Sequence, residues 1–182
     1  MKYIELVKED QAKGEVQELY NAVKQKMGML PNILAGLANS PAALKAYVTL
    51  SEVLENGAFE PREQKAMLLA VSQINQCYYC LSAHTAEAKV LGFSHDEVIR
   101  LRLGTIEDKK LRALTQLVRE IVSQRGFPEE EYVKAFFNAG YSEAHFAELT
   151  PFVALKTMSN YFHHMTEVPI DIPKAPEIKE EA

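Results

Sequence analysis

The chain has 182 residues, of which 47% are hydrophobic and 25% charged, and a formal net charge of −5. That length and balance suit one globular domain with arms, with enough apolar material for a sizeable core, and exclude a disordered chain. The acidic balance and the lack of any long block of Lys and Arg exclude a phosphate-binding face, so nucleic acid is not an expected partner.

From Met1 to Asp10 the chain meets charges at once and shows no apolar leader core. The longest uncharged apolar run, Ala66 to Val71, is far too short to cross a bilayer. A soluble, cytoplasmic protein with no membrane partner is therefore expected. Residues 1–13 read as an arm. A helical period over Gly14 to Met27 carries Val16, Leu19, Ala22 and Val23, and Gly28 to Asn32 breaks it. Ser40-Pro41 is a start signal, serine as N-cap and proline at the first helical position, for a helix ending near Gly57. Pro61 opens the next, to about Asn75, so dense in apolar residues that it should be buried on most sides. Asn75 reads as the N-cap of a helix from Gln76 to Leu91, with Gly92 as its stop. Ser94 and Glu97 have capping-box spacing for a short helix to Leu103. Thr105 to Asp108 begins a long amphipathic helix through Leu111, Leu114, Leu117, Val118, Ile121 and Val122, ended by Gly126-Phe127-Pro128. A short helix spans Glu129 to Asn138. A last one runs from Ser142 to about Met165, with Thr150-Pro151 as a restart or kink. The tail, Pro169 to Ala182, has three prolines and alternating charge and reads as an extended or disordered end. No stretch alternates with period two between hairpin turns. The expectation is an all-α bundle of seven to nine helices over residues 1–168, with a tail over 169–182.

The chemistry gathers in Asn75-Gln76-Cys77-Tyr78-Tyr79-Cys80-Leu81-Ser82-Ala83-His84, which holds both cysteines of the chain. On a helix Cys80 lies about 60° from Cys77, and His84 about 40° from Cys80, so all three share a stripe. A close thiol pair in a reducing compartment points to catalysis, redox sensing or metal binding rather than a structural bridge. If Asn75 is the cap, Cys77 sits at the second helical position, where free N–H groups and the helix dipole favour a thiolate. Cys80 gains less from the helix end but has His84 one turn on as a base. The two arguments favour different sulfurs. Core packing of two small residues is the plain alternative. A zinc site would have to recruit His84, His95, His145, His163 or His164, and no second paired motif exists. Covalent haem needs histidine directly after the second cysteine, where Leu81 stands. Helices on both sides of the motif exclude a thioredoxin-like setting.

The run from Glu63 to His84, Glu63-Gln64-Lys65 leading into Ala66-Met67-Leu68-Leu69-Ala70-Val71 and then Cys77-Tyr78-Tyr79-Cys80, resembles the core motif of the AhpD-like alkylhydroperoxidases in the carboxymuconolactone decarboxylase superfamily. The resemblance covers roughly residues 58–105. Leu30-Pro31-Asn32, Ser40-Pro41 and Ser159-Asn160-Tyr161-Phe162-His163-His164 resemble the peroxidase-related branch. It implies an all-helical homo-oligomer, trimer or hexamer, that reduces hydroperoxides without a bound cofactor and draws electrons from an external thiol donor, which in the family can be a lipoylated protein. Position by position, Cys80 matches the attacking cysteine, Cys77 the resolving one and His84 the histidine of a proton relay. Many members carry a glutamate where this chain has Lys65; Glu63 matches the glutamate of another branch and is the expected relay carboxylate. Tyr79 stands where the best-known members have a histidine, as an accessory hydrogen-bond donor or a packing residue. The resemblance allows two further uses of this scaffold, disulfide reduction or sensing with the same dithiol and a lactone decarboxylase that needs no Cys-x-x-Cys. A non-catalytic helical oligomer is the third.

Overall fold

The most apolar stretch of the sequence becomes the helix that the others surround. The computed structural model describes residues 3–178, and within them nine α-helices and no β-strand: α1 (Glu15–Met27), α2 (Asn32–Leu37), α3 (Pro41–Glu55), α4 (Pro61–Ile74), α5 (Tyr78–Val90), α6 (His95–Leu103), α7 (Lys109–Ser123), α8 (Glu130–Asn138) and α9 (Glu143–Thr166). Met1, Lys2 and 179–182 lie outside the described residues. The all-α expectation holds, at the upper end of its range.

Helix α4 buries every residue from Ala66 to Ser72 and packs against α5, α6, α7 and α9. Helix α7 lays Leu111, Leu114, Leu117 and Val118 on it from one stripe. At ~1.5–3 kcal/mol for each large apolar side chain fully buried, this contact is a main source of cohesion. The helix starts follow their caps. Ser40 Oγ accepts from Ala43 N–H, and Ser94 and Glu97 form a reciprocal capping box. Asp108, rather than Thr105, caps α7 through Leu111 N–H.

Three local departures matter. Helix α2, seated behind Pro31, starts at the last residue of the break and occupies a stretch to which the sequence reading assigns no element, burying Ile33 to Leu37. Helix α9 runs unbroken through Pro151 for 24 residues, because Leu149, Phe152 and Leu155 anchor it to the core on both sides of the missing N–H. The third departure is at the α4–α5 junction. Asn75 ends α4 instead of capping α5: Gln76 adopts a left-handed conformation (φ 56°), its N–H donates to Gln73 O, and Cys77 N–H donates to Ser72 O. That pair of bonds is a Schellman closure. Helix α5 therefore begins at Tyr78, with Cys77 as its N-cap.

After α9 the chain runs extended back across the molecule. Val168, Ile170 and Ile172 join the apolar cluster that contains both cysteines. Ala175 N–H donates to Ser82 Oγ on α5, and Pro176 O accepts from the buried Arg102. The arm ahead of α1 docks in the same cluster, Val7 N–H donating to Ala35 O. No helix among the described residues is long and apolar enough to cross a membrane.

Candidate active site

Cys77, as N-cap, and Cys80, as the third residue of α5, occupy the two positions whose side chains meet across a helix start. Their sulfurs lie 2.7 Å apart, about 0.7 Å beyond a disulfide bond length. Both side chains are buried, at 0% and 2% exposure. With Cys80 inside the first turn and Cys77 just outside it, the helix-end argument no longer selects Cys77.

What distinguishes the sulfurs comes from α9. Lys156 is 3% exposed, and its Nζ lies 2.8 Å from His84 Nε2. His84 Nδ1 lies 3.0 Å from Glu87 Oε2, which also holds Lys65 Nζ at 2.5 Å. The proton assignment that satisfies every partner has His84 Nδ1–H donating to the Glu87 carboxylate and the Lys156 ammonium donating to Nε2. Burial and the neighbouring Lys156 charge, outweighing Glu87, bring the His84 pKa down to about 4, so the ring is neutral at pH 7. For Glu87, burial is outweighed by His84 and Lys65, and the carboxyl is held below the usual range.

Burial also opposes charge on Cys80. The Cys77 thiol donating to its sulfur, the Lys156 charge, His84 and the Asn160 amide together outweigh burial and hold the Cys80 thiol well below its ordinary value. Cys77 moves the other way, pushed up by its bond to Cys80, by burial and by the charge beside it. Lys156 remains an ammonium despite burial because Cys80 faces it. The surroundings thus favour the thiolate on Cys80 and the ammonium on Lys156.

Helices α4, α5 and α9 thus bring together Cys77, Cys80 and His84, and set Glu87 rather than Glu63 beside the ring. Glu63 does not reach His84. Its Oε2 accepts Glu60 N–H in the first turn of α4, and its Oε1 pairs with Lys110 at 2.8 Å, while both ring nitrogens of His84 are already taken. Glu87 is the carboxylate beside the ring, one helical turn beyond it, an i,i+3 spacing that the sequence carries openly. Lys65 reaches the site through Glu87. Tyr79 donates to Asp171 Oδ1 at 2.7 Å and accepts Ile33 N–H, so its hydroxyl ties the tail to α2 rather than serving sulfur. Lys156 is the residue that sequence reasoning misses. Its only mark there is a lysine on the same stripe of α9 as Phe152, Leu155 and Asn160, all buried. His163 packs its ring on Tyr79 and reaches Val168 O. No group of three or more His, Cys, Asp or Glu side chains among the described residues is placed to hold a metal ion. An open apolar groove of about 380 Å3 between α2, α3 and α9 shares Met158 and Phe162 with the cluster around the cysteines.

An all-helical bundle with a dithiol at the α4–α5 junction and a buried histidine one turn on defines a class of helical dithiol proteins. Within it, residues 41–120 match the profile of the Carboxymuconolactone decarboxylase family, and the fold is AhpD-like. A Mycobacterium tuberculosis alkyl hydroperoxide reductase, Rv2159c, is 34% identical over 84 residues; that stretch is 46% of this chain, and the chain spans only about a quarter (24%) of the relative's length. A crystal structure described as an alkylhydroperoxidase AhpD core, a peroxidase-related protein of Ralstonia eutropha JMP134, superposes with a TM-score of 0.82 at 17% identity, covering 92% of this chain and 91% of the other. The debrominase Bmp8, solved as a cysteine-to-alanine variant in complex with 2,3,4-tribromopyrrole, superposes at 0.79 with 15% identity, covering 94% and 92%. At these identities the likeness is one of fold, and one fold carries more than one chemistry.

Proposed function

We propose that the protein is a thiol-dependent peroxidase that reduces hydroperoxides through a Cys77/Cys80 dithiol–disulfide cycle. The observation that carries this reading is the second thiol 2.7 Å from Cys80, with the buried Lys156 set on the helix facing them, 2.8 Å from His84. The relative's name, alkyl hydroperoxide reductase, supports the same class.

In this reading the Cys80 thiolate attacks one peroxide oxygen. The S–O bond forms as the O–O bond breaks, and the departing alkoxide takes a proton from Lys156, leaving a sulfenic acid, an alcohol and a neutral amine. His84 is not the base here, since a ring that protonates only near pH 4 holds protons too weakly. It accepts one Lys156 N–H and, oriented by Glu87, aims the ammonium. The bond and the charge that suppress ionisation of Cys77 both belong to the Cys80 thiolate. Once Cys80 is oxidised they vanish, and Cys77 becomes nucleophilic when it is needed. Its sulfur displaces hydroxide from the sulfenic acid as water, closing the disulfide. An external dithiol, of lipoyl type in the resemblance above, reduces that disulfide and restores the proton to Lys156. A cytoplasmic antioxidant role, a trimeric or hexameric homo-oligomer and the absence of a bound cofactor belong to the same proposal.

The test is steady-state consumption of cumene hydroperoxide with dihydrolipoamide as donor. Wild type should turn over, whereas Cys80→Ser should lose about 10³-fold or more and Cys77→Ser should stop after one equivalent with Cys80 as sulfenic acid. Full turnover in Cys80→Ser would sink the proposal. Peroxide-driven disulfide formation without turnover on any dithiol would move the protein to redox sensing.

A further inference from the structure

One turn of α9 faces the dithiol with Lys156, Ser159 and Asn160, spaced i, i+3, i+4 and all buried. Ser159 Oγ lies 3.9 Å from Cys80 Sγ and donates to Lys156 O. Asn160 is 0% exposed. Its Oδ1 accepts from the side chain of Asn75, in the α4–α5 junction, at 2.9 Å, and this bond fixes which way the amide points. Its Nδ2 has no hydrogen-bond partner of ordinary geometry among the described residues. An amide left in this state is destabilising, and buried amides are almost always satisfied. The N–H faces the Cys80 sulfur, whose negative charge it helps to hold, and sulfur is a weaker acceptor than oxygen. An oxygen atom on that sulfur is the acceptor that would complete the amide.

We propose that Asn160 Nδ2 is the oxygen-binding donor of the site, receiving the peroxide oxygen that Cys80 attacks and then the same oxygen as the Cys80 sulfenic acid. The inference rests on the peroxidase reading. As sulfur attacks, the oxygen it bonds stays on Cys80 and the other leaves with the Lys156 proton. Asn160 holds the first oxygen while Lys156 serves the second. The two donors, one turn apart on α9, give the O–O axis its direction across the sulfur, which is the alignment an in-line displacement needs. Asn75 then acts as a positioning residue, because its amide sets the orientation of the Asn160 donor. A hydroperoxide is thereby recognised by its two oxygens, whatever its organic group.

The decisive measurement compares two reactions of one thiolate. Asn160→Ala and Asn160→Ser are reacted with hydrogen peroxide and, separately, with methyl iodide, which brings no oxygen, each at a pH where absorbance at 240 nm shows Cys80 fully ionised in that variant. Peptide mass spectrometry reads the product. Asn160→Ala should slow the peroxide reaction about 10–100-fold and change methylation by less than about threefold, with Asn160→Ser, which keeps a donor, between it and wild type. Parallel slowing of both reactions would reduce Asn160 to a packing or charge-stabilising role and overturn the assignment, as would an unchanged peroxide rate. If Asn160→Ala does not fold, the same comparison in Asn160→Ser decides. Wild type that is methylated but inert to peroxide would overturn the peroxidase reading, and this inference with it.

Discussion

Glu63, in the first turn of α4, and Glu87, one turn beyond His84 on α5, each hold a lysine at close range: Lys110 at 2.8 Å and Lys65 at 2.5 Å. Glu63 is the more deeply buried of the two, yet its partners are a helix-start N–H and a half-exposed lysine, so it stabilises the opening of α4. Glu87 is more open to solvent, but its other neighbour is His84, and His84 leads to Lys156 and so to sulfur. Burial of a carboxylate therefore does not mark the site. What marks it is an unbroken line of partners that ends at the reacting atom, and α4, α5 and α9 each supply part of that line.

The largest effect on this comparison should come from its far end. Lys156→Met removes the cation that faces Cys80 while leaving a side chain of similar length among apolar neighbours. The thiol should rise toward or above its ordinary ~8.5, so that only a few per cent is thiolate at pH 7 and the peroxide reaction slows about 30–100-fold. The change should not unfold the protein, since losing a buried charge together with its counter-ion is often neutral. Titration at 240 nm beside Lys110→Met is the check, because Lys110, at the other glutamate, should leave the thiol unmoved. An unshifted thiol in Lys156→Met would end the argument that α9 activates the dithiol.

A smaller effect should appear as a pH dependence of stability. The groups facing His84 are Lys156 from α9, Glu87 on its own helix and Lys65 from α4, with Cys80 one turn back. Its pKa is lowered from 6.5 to about 4 by burial first and by Lys156 second. Between those values the unfolded chain binds the proton and the folded chain does not, so stability rises with pH across that window. The contribution is complete above about pH 6.5 and is lost as pH falls toward about 4. With 1.36 kcal/mol for each tenfold change in proton affinity, the loss is about 3 kcal/mol. Denaturant midpoints of wild type and His84→Gln at pH 4.5 and 7 measure it, and the variant should flatten this part of the profile.

How far the sequence reveals this arrangement depends on whether a residue's partners are local. Ser40-Pro41, Ser94 with Glu97, and the apolar density of α4 specify helices within a few residues, and they appear where expected. Asn75 fails for a physical reason: asparagine favours both helix starts and helix ends, and the left-handed Gln76 settles the matter only once α4 and α5 are docked. Glu87 was legible by spacing from His84. Lys156 and Asn160 were not, because their meaning depends on α9 crossing α5 some 75 residues away in sequence, and a lone lysine or asparagine in a helix ordinarily faces solvent. The resemblance favoured Cys80, and the geometry supplies a reason of its own in the Lys156 charge.

The smallest expected effect is also the sharpest discriminator between the two glutamates. Glu63→Gln keeps an acceptor for Glu60 N–H and removes the charge that pairs with Lys110, a lysine whose side chain is 47% exposed. Pairs reaching that far into solvent contribute little, so the loss should be about 0.5–1 kcal/mol, read as a fall of a few degrees in Tm. Peroxide turnover should stay within about twofold of wild type. In Glu87→Gln turnover falls about tenfold or more because the His84 ring loses the carboxylate that fixes its tautomer, and stability at pH 7 falls as well, since the charge held there by Lys65 and His84 stabilises the fold. If Glu63→Gln instead costs turnover as much as Glu87→Gln does, the line of partners from sulfur runs through the first turn of α4 after all, and the division of labour between the two carboxylates is lost.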